Sequence, residues 1–338
     1  MDHRHALARL PAPASLPGGR RLSGPPAALR TGGLSVEEEP HPIARERVAP
    51  AALPAAQSGT GRWALAGRLA SGIAFVPVLV LLAQAGGPAF LAFVALEVAL
   101  GLGEFYRMMR GRGLSPFQPL GIASGLALLW VSYRPLTPHV GFLMTGTLLL
   151  VLALELRRPQ ARQRVEDIAA TSFGVLYVGW LSAHFVLLRE LPWQVGRAYQ
   201  DGASFVLLAF FLTWSCDTGA YTVGRLFGRN RPWVQISPRK SVEGSFGGLA
   251  FAVAAAFVAR AWFAPYLALR DAAVLGLLVG VFAQVGDLVE SLLKRDAQHV
   301  HSSDFIPGHG GVLDRFDSLY FAAPLVYYYL QIVVFRVP

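Results

Sequence analysis

Long apolar runs alternate with short polar connections along most of this chain. From residue 62 onward nine apolar stretches recur, each close to the roughly 20 residues that an α-helix needs to cross a bilayer. We place them at 66–84, 88–108, 118–134, 139–156, 168–188, 204–224, 246–264, 270–290 and 318–336. This pattern predicts an all-α fold, a polytopic membrane helical bundle of about nine transmembrane helices.

The first 61 residues follow a different pattern. They are rich in Pro, Ala, Gly and Arg, lack helical periodicity and contain the acidic run Glu37, Glu38 and Glu39. That run argues against an organelle transit peptide, and no apolar core typical of a secretory signal is present. Because such a segment cannot bury enough apolar surface to fold alone, we expect a disordered tail at 1–61 and a membrane-embedded domain at 62–338.

Composition agrees with a membrane protein. Hydrophobic residues make up 54% of the chain and charged residues 15%, against about 25% charged in soluble domains. The formal charge of +9 would suggest a nucleic-acid partner in a soluble protein. Here the arginines lie mainly in short connections between apolar spans, which favours a role in topology and no nucleic-acid partner. The single cysteine, Cys216, excludes an intrachain disulfide.

The basic residues also predict orientation, because they concentrate after the second, fourth, sixth and eighth spans. They are Arg107, Arg110, Arg112, Arg157, Arg158, Arg162, Arg164, Arg225, Arg229, Arg231, Arg239, Lys240, Lys294, Arg295 and Arg315. The other connections hold far fewer, for example Arg134 or the pair Arg189 and Arg197. By the positive-inside rule, the even-numbered connections and the amino-terminal tail are cytoplasmic and the carboxyl terminus is outside.

Lysine is rare in this chain and its position is informative. Of the 30 basic residues only Lys240 and Lys294 are lysines, and each lies in a polar motif. A compact ammonium differs from a planar guanidinium in hydration and geometry. We interpret both lysines as phosphate contacts; the alternative is that two lysines fell there by chance.

The first polar motif lies inside the sixth span. Thr213, Asp217, Tyr221 and Gly224 recur at helical spacing and share one face. A carboxylate on an apolar helix has to face the bundle interior, a cation or a water-filled cavity. We therefore take Asp217 as a candidate functional residue, the alternative being a polar packing contact among small residues.

The second motif is ISPRKSVEG at 236–244. Arg239 and Lys240 stand between the hydroxyls of Ser237 and Ser241, and Gly244, Gly247 and Gly248 follow. Adjacent cations, glycines and the N–H groups of a helix start are typical of a phosphate cradle. The alternative is a positive anchor that only fixes topology.

The third motif, GDLVESLLKRDAQHVHSSDFIPGHGGVLDRFD at 286–317, is the densest in charge. Asp287, Glu290, Ser291 and Lys294 are spaced to form one polar stripe on a helix. Such charge at a membrane edge has a free-energy cost that function usually explains. The alternative is a salt-bridged loop at the headgroup level.

Two further carboxylates, Asp314 and Asp317, lie three residues apart and share a helix face. The glycine-rich turn at 307–311 has the flexibility to fold them back toward the first stripe. Carboxylates next to phosphate-sized space suit Mg²⁺, which commonly takes only one or two protein carboxylates. The sequence therefore predicts a magnesium site formed by two helices.

The succession DTGAY, SPRKSVEG, GDLVESLLKRD and PGHGGVLDRFD resembles the phosphatidate cytidylyltransferase family, also called CDP-diacylglycerol synthases, over about 68–329. The resemblance implies a multi-pass enzyme, probable homes of which include the bacterial inner membrane, with its active site facing the cytoplasm. It would join CTP and phosphatidic acid into CDP-diacylglycerol and pyrophosphate. The resemblance also implies metal ligation by Asp287 and Asp314, a monovalent ion such as K⁺ beside Mg²⁺, and a homodimer.

The expected roles divide the candidate residues into two sets. The catalytic set is Asp287, Asp314, Lys294 and Asp317. The substrate-binding set is Asp217, Ser237, Lys240, Ser291, Arg295, His309, Gly310, Gly311 and Arg315. We expect His309 to shape its loop or support the site and not to act as a general base, because a lipid phosphate oxygen is already a nucleophile at neutral pH.

The chain departs from the family pattern at two places. Val300 and His301 stand where relatives usually carry Lys and Asp, and Arg239 and Val242 differ from the usual SPKKTWEG. These differences keep three alternatives open: a related CTP-dependent enzyme acting on another lipid, such as a polyprenol kinase or archaeol-type cytidylyltransferase, a catalytically impaired relative, or a transporter that couples ions through Asp217 and Asp287.

Overall fold

The structure is a computed structural model that describes residues 75–133, 139–158, 163–297 and 311–336. Within these ranges the regular structure is helical and contains no strand. The helices are α1 (Phe75–Ala85), α2 (Gly87–Gly111), α3 (Gln118–Tyr133), α4 (His139–Leu156), α5 (Arg164–Val195), α6 (Asp201–Phe227), α7 (Val242–Trp262), α8 (Leu269–Asp296) and α9 (Leu313–Tyr328). A π-helical segment, Val175–Trp180, lies within α5, and another, Tyr329–Val334, continues α9.

Each predicted apolar span falls on one of these helices, which confirms the all-α, multi-pass fold class. Among the described residues, α2, α4, α5, α6, α7 and α8 are long and apolar enough to cross a membrane. The described part of α1 and the helices α3 and α9 are shorter. The beginning of the first predicted span and the predicted tail at 1–61 lie outside the described residues.

The core lies where α2, α5, α6 and α9 meet. Phe105, Phe185, Phe210, Leu319 and Tyr320 are among its buried side chains, each no more than 2% exposed. By contrast, α4 buries only Thr147, Val151 and Glu155. A helix with so little buried surface lies at the edge of the bundle, with its apolar side chains available to lipid.

Small residues bring α6 and α7 close together. A Cβ added at Gly219 would lie 2.5 Å from Cγ of Phe251, and one added at Gly248 would lie 2.9 Å from the carbonyl oxygen of Cys216. Close backbone approach through glycine is common between membrane helices. The expectation that Gly244, Gly247 and Gly248 cradle a phosphate is therefore wrong for these side faces, because all three pack within α7 against α6.

The connections predicted to share one side of the membrane do lie together. Arg112 pairs with Asp296, Arg158 Nη1 donates to the carbonyl oxygen of Ser115 at 2.6 Å, and Arg295 Nε donates to that of Ile236 at 3.2 Å. These contacts join the connections that follow α2, α4, α6 and α8. We call this part of the bundle the charged end, and the part formed by the alternate connections the opposite end.

Candidate active site

The polar stripe on α8 forms as predicted. Ser291 Oγ lies 3.4 Å from Asp287 Oδ1, and Lys294 Nζ lies 2.5 Å from Glu290 Oε2. The Glu290 side chain is fully buried, whereas that of Asp287 is 37% exposed. Of these two carboxylates Asp287 is therefore the one that a ligand can reach, and Glu290 supports Lys294 from inside the bundle.

The start of α9 folds back onto this stripe. Asp314 Oδ1 lies 2.7 Å from Lys294 Nζ, while Asp314 Oδ2 accepts a hydrogen bond from the Gly311 amide at 3.0 Å. Both oxygens of Asp314 are thus oriented by neighbours on either side. The predicted meeting of the two carboxylate pairs is what the structure has.

Asp317 lies one helical turn beyond Asp314 and faces the same cluster. Its Oδ1 accepts from the Ser318 amide at 2.5 Å, and its charge interacts with those of Asp287, Asp217 and Lys294. The helices α8 and α9 touch here, because a Cβ added at Gly286 would lie 2.6 Å from the carbonyl oxygen of Asp317. Glycine at this position lets Asp287 and Asp317 approach each other.

Lys240 reaches the cluster from the connection between α6 and α7. Its Nζ lies 2.8 Å from Asp287 Oδ2. The connection is held at both ends: Ser241 Oγ caps α7 by accepting from the Gly244 amide at 3.1 Å, and Glu243 accepts from the amides of Arg229 and Asn230. These bonds fix the chain on both sides of Lys240.

The only two lysines of the chain therefore bind the two aspartates predicted to hold metal. Lys240 pairs with Asp287, and Lys294 pairs with Asp314. With Asp217, Glu290 and Asp317, five carboxylates share this site with two ammonium groups. The formal sum of 2 − 5 = −3 leaves excess negative charge, which is the electrostatic setting for a bound cation.

Asp217 completes the cluster from α6. Its carboxylate interacts with the charges of Asp287 and Lys240. Thr213, on the same helical face, is buried, and its hydroxyl donates to the carbonyl oxygen of Ala209 at 2.8 Å. The face proposed from helical spacing is therefore the one that α6 presents to the site near Asp217.

The remaining candidate residues border this cluster or lie outside the described ranges. Arg295 is joined to Ile236, directly before Ser237, and the Ser237 amide donates to the carbonyl oxygen of Trp233 at 2.7 Å. Arg315 is exposed on the first turn of α9. The predicted contacts of His309 and Gly310, and the departures at Val300 and His301, all fall outside the described residues.

A divalent metal fits this donor set as a guest that needs other ligands. Within the described ranges, no three His, Cys, Asp or Glu side chains are arranged as a ready metal cage. Magnesium does not require one, since it usually takes one or two carboxylates together with waters and substrate phosphates. The partly exposed Asp287 and the neighbouring Asp314 supply two such carboxylates in a cluster that is short of positive charge.

Two acidic residues of α2 escaped the sequence analysis. Glu104 is 2% exposed and accepts hydrogen bonds from the amides of Val312 and Leu313, at 3.1 and 2.9 Å. Glu97 is 4% exposed, and its Oε1 accepts from the Tyr320 hydroxyl at 2.7 Å. The signal was available: a carboxylate inside an apolar span calls for a partner, the same argument that singled out Asp217.

Comparison with known proteins gives this cluster its context. A model of the cytidylyltransferase family matches residues 66–333. A phosphatidate cytidylyltransferase of Synechocystis sp. is 36% identical over 273 residues, covering 74% of this chain and 90% of that protein. One of Bacillus subtilis is 32% identical over 253 residues, covering 72% and 90%. The chloroplastic phosphatidate cytidylyltransferase 5 of Arabidopsis thaliana is 29% identical over 270 residues, covering 73% and 67%. The chain therefore belongs to the cytidylyltransferase family.

Proposed function

We propose that this protein transfers the cytidylyl group of CTP to phosphatidic acid, which gives CDP-diacylglycerol and pyrophosphate. The observation that carries the proposal is the pairing of the chain's only two lysines with Asp287 and Asp314 inside a cluster of five carboxylates. This cluster lies within the residues that match the family, and relatives named phosphatidate cytidylyltransferase support the choice of substrates.

The residues present suit the bond changes of this reaction. A phosphate oxygen of phosphatidic acid attacks the α-phosphorus of CTP, and the bond from that phosphorus to the oxygen bridging the β-phosphate breaks. The electron pair leaves with pyrophosphate. Because the attacking oxygen is already anionic, the reaction requires no serine or cysteine nucleophile. The barrier comes from bringing two polyanions together and stabilising charge at the transferring phosphorus.

Asp287 and Asp314 would hold the metal, with Asp317 and Asp217 supporting them. Mg²⁺ bound there would neutralise charge on the transferring and leaving phosphates. The net negative charge of the cluster supports this assignment, and a monovalent ion such as K⁺ would add to the neutralisation. The task of these four side chains is to hold the cation against the membrane end of α8 and α9, where a lipid phosphate is available.

Cationic and hydroxyl groups around the carboxylates would hold the phosphates. Lys240, Lys294 and Arg295 provide charge at fixed places, since each is anchored by a carboxylate or a backbone carbonyl. Ser291 lies beside Asp287, and Ser237 lies on the connection that carries Lys240. The other proposed substrate contacts are His309, Gly310, Gly311 and Arg315.

We place the charged end in the cytoplasm, where CTP is found. The concentration of arginine in the connections after α2, α4, α6 and α8 supports this orientation through the positive-inside rule. The bacterial inner membrane is the membrane we propose, and a homodimer is the assembly. Protease accessibility in spheroplasts and crosslinking in native membranes test these two points separately.

The direct test is turnover of the purified protein in detergent with CTP and a panel of lipid phosphates. We expect CDP-diacylglycerol and pyrophosphate in equal amounts from phosphatidic acid. Asp314→Asn should abolish the activity, whereas Asp201→Asn, the same change at the opposite end where Asp201 pairs with Arg197 at 2.8 Å, should leave it intact. Release of CDP in place of pyrophosphate would identify a kinase, and preference for another lipid phosphate would identify a different cytidylyltransferase.

Complementation separates the remaining alternatives. The gene should restore growth of a bacterial strain depleted of its own CDP-diacylglycerol synthesis. A folded protein that fails there and in the assay would be a catalytically impaired relative. Ion flux in proteoliposomes without CTP consumption would support the transporter.

A further inference from the structure

A single carboxylate from a distant helix closes the amino-terminal end of α9. Glu104 of α2 accepts from the amide of Val312 at 3.1 Å with Oε1 and from that of Leu313 at 2.9 Å with Oε2. The acceptor and the two donors are 208 and 209 residues apart along the chain. Glu104, Val312 and Leu313 are all buried.

The first turn of α9 has little else to bind these donors. The first N–H groups of any helix lack intrahelical acceptors, and an N-terminal side chain usually caps them. The residue at the cap position here is Val312, which has no side-chain acceptor. Because the amides are buried, water cannot replace the missing cap, and a carboxylate is the strongest acceptor that a protein offers to N–H groups at the positive end of a helix.

The residue that follows Leu313 is Asp314, whose Oδ1 lies 2.7 Å from Lys294 Nζ. The Gly311 amide, directly before the capped donors, binds the other oxygen of Asp314. Glu104 therefore fixes the short segment that presents Asp314, and a relaxed first turn would move that carboxylate away from α8.

We infer that Glu104 is a positioning residue for the cytidylyl transfer: by capping α9 from α2 it holds Asp314 in register with Lys294. Glu104 touches neither substrate nor Lys294 in this role and acts through the backbone at 312–313. The inference rests on the proposed function for its kinetic consequence, but not for the capping itself.

The chain offers a matched control two helical turns away. Glu97 is also a buried glutamate of α2 that binds α9, but its partner is the Tyr320 hydroxyl and not the backbone of the first turn. Replacing either glutamate by glutamine removes a buried charge. Only the change at Glu104 leaves an amide hydrogen facing a backbone N–H at the start of α9.

A second variant approaches the same contact from the other side. Val312→Pro removes the N–H that donates to Glu104 Oε1, and the Val312 φ of −64° already suits proline. The Leu313 amide keeps its bond to Glu104. If the two residues act through one contact, Val312→Pro should have less effect in the Glu104→Gln background than in the wild-type protein.

The experiment combines hydrogen–deuterium exchange with steady-state kinetics of the full-length protein in detergent. For Glu104→Gln we expect exchange in peptides covering 311–317 to rise by about tenfold or more, with little change in 321–330. We also expect kcat to fall by roughly tenfold to a hundredfold, while KM for CTP stays within about twofold. Glu97→Gln should leave the 311–317 peptides and kcat close to the wild-type values.

Wild-type exchange at 311–317 in Glu104→Gln would overturn the inference, as would raised exchange with unchanged kcat. Equal kinetic losses in Glu97→Gln and Glu104→Gln would assign both to general destabilisation and would also overturn it. If Glu104→Gln does not fold, Val312→Pro decides by the same two readouts. A wild-type protein without cytidylyltransferase activity would refute the proposed function, while the exchange data would still report whether Glu104 caps α9.

Discussion

The two ends of the bundle each bury cationic side chains, but they give them opposite partners. At the charged end Lys240 and Lys294 face carboxylates, which outnumber them. At the opposite end Arg189, which is 1% exposed, donates to neutral carbonyl oxygens and stacks on an aromatic ring. Its acceptors are Ala83 at 2.6 Å, Tyr199 at 2.9 Å and Gln84 at 3.3 Å.

The difference separates a structural cation from a site that can take a ligand. The guanidinium of Arg189 ties the connection between α1 and α2 to the one between α5 and α6, with partners held in place by the backbone. Gly86 passes beside it with φ +59°, a conformation in which any Cβ would collide with Arg189. The charged end instead keeps an excess of negative charge that a cation from solution can reduce. Burial of a charge is common to both ends, so the balance of its partners is what indicates function.

The largest expected effect is on turnover at the charged end. Asp287→Asn keeps the shape of the side chain and removes the charge that Lys240 and the metal would share. We expect CTP turnover to fall by about a thousandfold, since a metal ion contributes several kcal/mol to stabilising the transition state. The assay is pyrophosphate release by purified protein. Asp296→Asn, on the same helix and paired with Arg112, is the control and should retain most activity. Comparable losses in the two variants would refute the special role of Asp287.

The next largest effect is on stability at the opposite end. Arg189→Met should lower the free energy of unfolding by about 3 kcal/mol or more, because buried carbonyl oxygens lose their donor at about 1–3 kcal/mol each. Denaturant titration in mixed micelles measures it. The folded fraction should retain the wild-type turnover per molecule.

Arg197→Met gives the comparison for that experiment. Arg197 pairs with Asp201 at the surface of the same end, and such pairs contribute about 1 kcal/mol or less. If Arg189→Met reduced turnover per folded molecule while Arg197→Met did not, the opposite end would have a part in catalysis, and the division between the two ends would be wrong.

Lys240→Arg tests whether charge alone suffices at the charged end. The substitution keeps the cation but replaces a compact ammonium by a planar group of different reach and hydration. We expect turnover to fall by about tenfold, with stability little changed. Arg239→Lys, the neighbouring exposed position, is the matched control and should be near neutral. Full activity of Lys240→Arg would favour the view that the lysines of this chain lie in the motifs by chance.

Much of the charged end could be predicted from sequence, because helical spacing is a local property. The stripe of Asp287, Ser291 and Lys294 follows from the 3.6-residue period, and the even-numbered connections share an end because spans alternate in direction. The positive-inside count even understated the asymmetry. It treated Arg189 as a loop residue, whereas α5 extends to Val195 and buries Arg189 inside the bundle.

Long-range pairings could not be predicted in the same way. Spacing does not tell which backbone amides Glu104 caps, because the donors are more than 200 residues away. Nor does the glycine pattern of Gly244, Gly247 and Gly248 distinguish a phosphate cradle from close helix packing, since both require the absence of a side chain. The neighbouring helix decided that question in favour of packing against α6.

The smallest predicted effect concerns the residue next to Lys240. Ser241 caps α7 through the Gly244 amide, and Ser241→Ala should lower the free energy of unfolding by about 1 kcal/mol. Turnover should fall by less than about threefold, because Glu243 and the glycine contacts with α6 still hold the connection that carries Lys240.

Ser245→Ala is the control for that change, as the Ser245 hydroxyl donates to the Ser241 carbonyl oxygen at 3.3 Å and caps no helix amide. Denaturant titration should therefore distinguish the two variants, and the turnover assay should not. A loss of activity of about a hundredfold in Ser241→Ala, without a loss of stability, would mean that its hydroxyl contacts the phosphates directly. The boundary of the charged end would then extend into the first turn of α7, and the hydroxyls on both sides of Lys240 would belong to the substrate site.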